Sequence, residues 1–136
     1  VESAHLQLHR DIADVQVQID QTRLEQILVN LIGNALDAMQ AQPLPQLWLE
    51  GEVFDGKYRL RVRDNGHGID AEARKHLFEP FFTTKPGEQG LGLGLTLSAS
   101  LAAATGGHLG VEHPASGGTT FVLSLPLVRP LHAEPI

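Results

Sequence analysis

The apolar residues of this 136-residue chain change their spacing from one stretch to the next, and that change dictates a mixed architecture. His5-Leu6-Gln7-Leu8-His9 and Val15-Gln16-Val17-Gln18-Ile19 alternate apolar with polar, the period of a strand with one buried face. From Thr22 to about Gln40 the period turns helical: Leu24, Ile27, Leu28, Leu31, Ile32, Ala35, Leu36 and Met39 fall on one stripe. Pro43 and Pro45 then stop the helix. Leu47 to Phe54 and Lys57 to Arg63 flank Asp55-Gly56, the dipeptide of a tight hairpin turn. Asp70 to His76 reads as a short helix capped by Asp70, acidic first and basic last. A further helix runs from about Leu95 to Gly106-Gly107, and His108–His113 with Thr119–Leu125 make a closing hairpin. Strands linked mostly by hairpins and grouped with helices predict an α+β fold, a two-layer sandwich with helices on one face of a mixed sheet. Residues 1–126 are expected to form one domain, and 127–136 a frayed tail flanked by Pro126 and holding Pro130 and Pro135.

Composition narrows the function. A chain with 42% apolar and 19% charged residues is an ordinary globular one. It has no Cys, so it carries neither a disulfide framework nor a thiolate metal site. No apolar run approaches the ~20 residues that span a bilayer. A net charge of −6 argues against a nucleic-acid-binding surface. A polyanionic ligand would need local cations or a metal ion.

Four segments carry chemistry. Gly90-Leu91-Gly92-Leu93-Gly94-Leu95 opens directly into a helix. It is either a flexible linker or a cradle in which bare backbone N–H groups and a helix start meet a phosphate. Asn30, Asn34 and Asp37 stand at i, i+4 and i+7 on the long helix, on a face roughly opposite the Leu/Ile stripe. They form either a solvated face or a set of oxygen ligands suited to Mg²⁺, with Asn34 the candidate ligand and Asn30 beside it. Asp64 falls by parity on the face of Tyr58, Leu60 and Val62, opposite Arg59, Arg61 and Arg63. A carboxylate there is either a turn residue or an acceptor at the bottom of a pocket, receiving an exocyclic amine. Finally, Phe78, Phe81 and Phe82 crowd beside Pro80, with Thr83-Thr84-Lys85 following. That segment is either a core cluster or a lid, with Lys85 a surface lysine or a point charge for phosphate.

In order, these segments resemble the catalytic, ATP-binding domain of sensor histidine kinases. Leu24 to Ala35, with Asn30 and Asn34, is similar to that family's N box. Asp64-Asn65-Gly66-His67-Gly68-Ile69 is similar to the G1 box, Phe78-Glu79-Pro80-Phe81-Phe82 to the F box, and Gly90 to Leu95 to the G2 box. Gly118-Thr119-Thr120-Phe121 resembles the closing hairpin. The wording around Phe81 to Lys85 is most like the nitrogen-regulation and C4-dicarboxylate sensor kinases.

The resemblance implies the Bergerat ATP-binding fold shared with gyrase, the ninety-kilodalton heat-shock chaperones and MutL. It implies ATP and Mg²⁺ as cofactors, with Asn34 on the metal and Asn30 close by as the catalytic pair. It further implies Asp64 on the adenine amine, Gly66 and Gly68 beside the base, and Thr119 at the base of the adenine pocket. Gly90, Gly92 and Gly94 would wrap the phosphates. Asp37, Ile69, Phe81, Lys85, Leu91, Leu93 and Leu95 complete the expected ATP-binding set. The phosphoacceptor in such kinases is a His on a separate helical hairpin. None of the histidines at 5, 9, 67, 76, 108, 113 and 132 has that context, so the phosphoacceptor and sensor regions are expected outside this chain. The expected partners are that hairpin and, downstream, a response-regulator receiver domain, with no nucleic acid. The isolated domain is expected to be a monomer, the whole protein a homodimer, and the domain cytoplasmic. Two alternatives share the fold: a nucleotide-gated interaction module and an anti-sigma-type Ser/Thr kinase.

Overall fold

A computed structural model describes residues 6–11, 16–79 and 94–128. Five strands form one sheet in the order β1-β2-β3-β5-β4. They are β1 (Gln7–Asp11), β2 (Gln46–Phe54), β3 (Lys57–Asp64), β4 (His108–Glu112) and β5 (Thr119–Pro126). β1 runs parallel to β2, whereas every other pairing is antiparallel, so the sheet is mixed as expected. Three helices accompany it: α1 (Gln21–Ala38), α2 (Ala71–Arg74) and α3 (Gly94–Ala104).

The local signals explain the element ends. The Asp20 carboxylate caps α1 by accepting from the Arg23 N–H at 2.8 Å. Asp70 caps α2 in the same way through the Ala73 N–H. Asp55 and Gly56 take φ of +54° and +76°, the left-handed pair that a two-residue hairpin turn requires. Gly106, at φ +85°, ends α3, and the Gly107 N–H returns to the Ala102 carbonyl at 2.9 Å.

The core lies between one face of the sheet and the pair α1 and α3. Ile27, Leu31 and Ala35 of α1 and Ala102 of α3 pack with Leu47, Val62, Leu109, Phe121, Leu123 and Leu125. Phe78, just past α2, packs against the same cluster.

Two expectations are corrected. Residues 12–15 lie outside the described set, and the stretch expected as a second strand forms only a single bridge, Val17 with Leu127. Pro126 offers no N–H to extend the ladder, and Asp20 already commits the chain to α1. The buried line of α1 is also narrower than the apolar stripe: Leu36 is exposed, whereas Ile27, Leu31 and Ala35 are enclosed. Asn30 is about 100° from Leu31 around the helix and so flanks the core rather than opposing it. The reason is α3, which packs along that flank.

Candidate functional site

Asp64 ends β3 on its buried face, opposite Leu47 of β2 and Thr119 of β5. The residue is only 3% exposed. One carboxylate oxygen accepts from the Gly66 N–H at 2.8 Å, and the Thr119 backbone N–H also supports the charge. Burial outweighs these donors and raises the carboxyl above its ordinary range, with His67 the one charged group that lowers it. Beside it the Thr119 hydroxyl is buried and has no hydrogen-bond partner among the described residues. A buried acid with no ion pair among the described residues, next to an orphan hydroxyl, asks for a polar ligand.

The loop after Asp64 is pressed onto neighbouring backbone. A Cβ on Gly66 would strike the Ala38 carbonyl at the end of α1, and the His67 N–H donates to that carbonyl at 3.2 Å. Gly118, at φ +78°, leaves no room for a Cβ against the Asp64 carbonyl. Gly68 faces the Gly118 carbonyl in turn. Asn65 binds the same loop to the entry of β2: its Oδ1 accepts from the Gln46 N–H at 3.0 Å and its Nδ2 donates to the Leu44 carbonyl at 2.9 Å. Ile69 packs against the core.

These contacts bring the two halves of the predicted constellation together. The Asp64 loop stands on Ala38, one helical turn beyond Asn34. Asn34 and Asn30 are half-buried, and Asp37 is exposed. Asn30 Nδ2 donates to Ser98 Oγ of α3 at 3.0 Å. Gly94 stands against Asn30 at the start of α3, and Leu95 packs on the core. Phe81, Lys85, Gly90, Leu91, Gly92 and Leu93 lie outside the described residues.

Sequence reasoning missed Asn65 and Ser98. Asn65 stands in the segment similar to the G1 box, but its ties to Gln46 and Leu44 are tertiary and carry no local signal. Ser98 is the buried hydroxyl of a helix, Gly94–Ala104, that also carries Thr96 and Ser100, and no local pattern singles it out. Among the described residues no cluster of three or more His, Cys, Asp or Glu could hold a metal. A cation here would therefore rely on carboxamide oxygens and on oxygens of its ligand.

Residues 19–129 match the family of histidine kinase-, DNA gyrase B- and HSP90-like ATPases, and the chain belongs to that family. Its kin within the family are sensor histidine kinases. It is 42% identical over 124 residues to the C4-dicarboxylate transport sensor protein DctB of Pseudomonas aeruginosa, covering 89% of this chain and 20% of that protein. The chain thus spans about a fifth of that relative's length. The mycobacterial sensor histidine kinase MprB has the same fold, with a TM-score of 0.80 at 27% identity, covering 93% of this chain and 86% of that one. Full-length ShkA in complex with AMPPNP superposes with a TM-score of 0.75 at 32% identity over 92% of this chain and 26% of that one. This chain is an ATPase-family domain of the sensor histidine kinase type. No helix among the described residues is long and apolar enough to cross a membrane.

Proposed function

We propose that the chain, with residues 1–126 as its catalytic domain, binds Mg²⁺·ATP and presents the γ-phosphate to a histidine on a separate helical hairpin. The observation that carries this is buried Asp64, with no ion pair among the described residues, beside the Thr119 hydroxyl, which has no hydrogen-bond partner among them, at the end of the loop that stands on α1. Asp64 would accept the exocyclic amine of adenine, a donor that satisfies a buried carboxylate. Gly66 and Gly68 would border the base, with Thr119 beneath it and Ile69 at its edge. The carboxamide oxygens of Asn34 and Asn30 are hard donors of the kind Mg²⁺ takes, and the ion would draw the rest of its shell from phosphates and water. Bound there, the metal would neutralise charge on the phosphates. Asp37, Phe81, Lys85, and Gly90 through Leu95 would complete the nucleotide site.

The chain's own part is then positioning. Asn30 cannot act as a general base, so water is poorly activated there and transfer to an in-line imidazole is favoured. Glu25, the nearest acid preceding Asn30 on α1, is exposed and accepts from Gln21 Nε2 at 3.0 Å. The partners in this reading are the phosphoacceptor hairpin and a receiver domain that takes the phosphate onward. The domain alone is a monomer, the whole protein a homodimer, and the site of action the cytoplasm, where ATP is supplied.

The test mixes the chain, Mg²⁺, γ-³²P-labelled ATP and the hairpin of a related kinase. Acid-labile label on the hairpin is the expected result. Rapid steady hydrolysis of free ATP without phosphohistidine, or acid-stable label, overturns it.

A further inference from the structure

The start of α3 is held at two points. Thr96 Oγ1 donates to the Phe78 carbonyl at 2.8 Å, fixing the first turn of α3 to the chain just after α2. One helical turn after Gly94, Ser98 meets Asn30 of α1, 68 residues away in sequence, at 3.0 Å. Ser98 is 2% exposed, so its hydroxyl sits where a methyl would ordinarily pack. The contact has a direction. A carboxamide has a donor end and an acceptor end, and a half-turn of its plane exchanges them. The Nδ2 end of Asn30 is committed to Ser98, so Oδ1 is turned away from it, toward Gly94. A Cβ at Gly94 would stand 2.5 Å from that oxygen, so glycine is what lets the carboxamide sit there.

Resting on the Mg²⁺·ATP reading above, we propose that Ser98 is a positioning residue, acting through Asn30. Its hydroxyl, accepting from Nδ2, holds the carboxamide in the orientation in which the oxygen faces Gly94 and is left for a cation. A cation attracts the oxygen and is repelled by the amide protons, so the wrong orientation would oppose metal at this spot. Partners of this kind that orient a ligating group alter metal affinity by about 10- to 100-fold when removed. Gly94 serves the same oxygen by staying out of its way.

The experiment measures ATP affinity by calorimetry with and without Mg²⁺, together with the melting temperature, for the wild-type chain, Ser98→Ala, Asn30→Ala and the double variant. Ser98→Ala is expected to keep metal-free ATP affinity within about threefold and to lose about tenfold of the gain that Mg²⁺ confers. Ser98→Cys, similar in volume but a poor acceptor, should behave alike and covers the case in which alanine perturbs the fold. The double variant should match Asn30→Ala, because two residues acting through one contact are not additive. Equal losses with and without Mg²⁺, tracking a lowered melting temperature, would mean that Ser98 only holds the helices together and overturn the proposal. So would additive single effects, or a wild-type chain that gains nothing from Mg²⁺. A wild-type chain that binds no ATP at all overturns the nucleotide reading beneath it instead.

Discussion

The two faces of β3 carry charge on opposite terms. On the open face, Arg61 meets Glu52 at 2.8 Å and Glu112 at 3.6 Å. Arg59 lies over the Phe54 ring and Arg63 over Trp48, which also stacks with His9. Each of these three arginines has a neighbour, and all three are partly exposed. On the buried face Tyr58 and Val62 pack inward, and the same strand then ends in Asp64, a carboxylate with no ion pair among the described residues, supported by backbone N–H groups and least by the charge of His67. Abundant exposed charge that is paired stabilises little. A single enclosed charge that is not paired is costly, and it persists where a ligand completes it. The contrast separates a solvated surface from a site.

The sharpest way to break this comparison is Asp64→Asn. It should weaken ATP binding about 100-fold or more, the loss expected when a buried charge-assisted hydrogen bond disappears, and so abolish the ATP-induced thermal shift. The ligand-free domain should remain folded. Its stability also reports the sign of the Asp64 effect. Burial raises the folded carboxyl above the unfolded value of 3.8, so the contribution of Asp64 to stability is complete below that pH and is lost as pH rises through the folded value. The melting temperature of Asp64→Asn relative to wild type should therefore climb between pH 3.5 and pH 7, values spanning about that window. A flat difference would show that the acid is not enclosed.

Arg61→Ala, on the other face, should cost less than about 1 kcal/mol in denaturant unfolding and leave ATP affinity unchanged, with the cost shrinking in high salt. A larger loss would mean that the open face is a stabilising network and not a solvated surface. The smallest effect belongs to His76, whose ring contacts Glu79 at 2.9 Å and Glu72 at 3.5 Å. The hydrogen bond to Glu79, then the charges of Glu79 and Glu72, raise its pKa above 6.5. Its stabilisation is present below pH 6.5 and fades as pH rises through the folded value. An imidazole titration followed by NMR should fall back toward 6.5 in Glu79→Gln, and no change there would remove the pair from the account.

Asp64 was legible from sequence because strand parity is strictly two, and a carboxylate in step with Tyr58, Leu60 and Val62 must face inward. The Asp55-Gly56 turn, the Asp70 cap and the end of α3 were legible because each is decided within four residues. Asn30 was half legible: its box was evident, but its neighbour was not. The nearest partner of its side chain lies on α3, and no local pattern reports which flank of α1 a distant helix will cover. The Val15–Ile19 alternation misled for a related reason. Alternation marks a chain able to pair, and pairing also needs a free ladder alongside.

What the sequence determined on its own is what repeats over short distances: the periods that made strands and helices, the residues that capped them, and the side of β3 on which an acid would fall. Tertiary structure alone decided the parallel seating of β1 beside β2, the strand order β1-β2-β3-β5-β4, the pressing of Gly66 onto Ala38 and the meeting of Asn30 with Ser98. Local preference acts through neighbouring dihedral angles, whereas these contacts arise only when whole elements pack and exclude water between them.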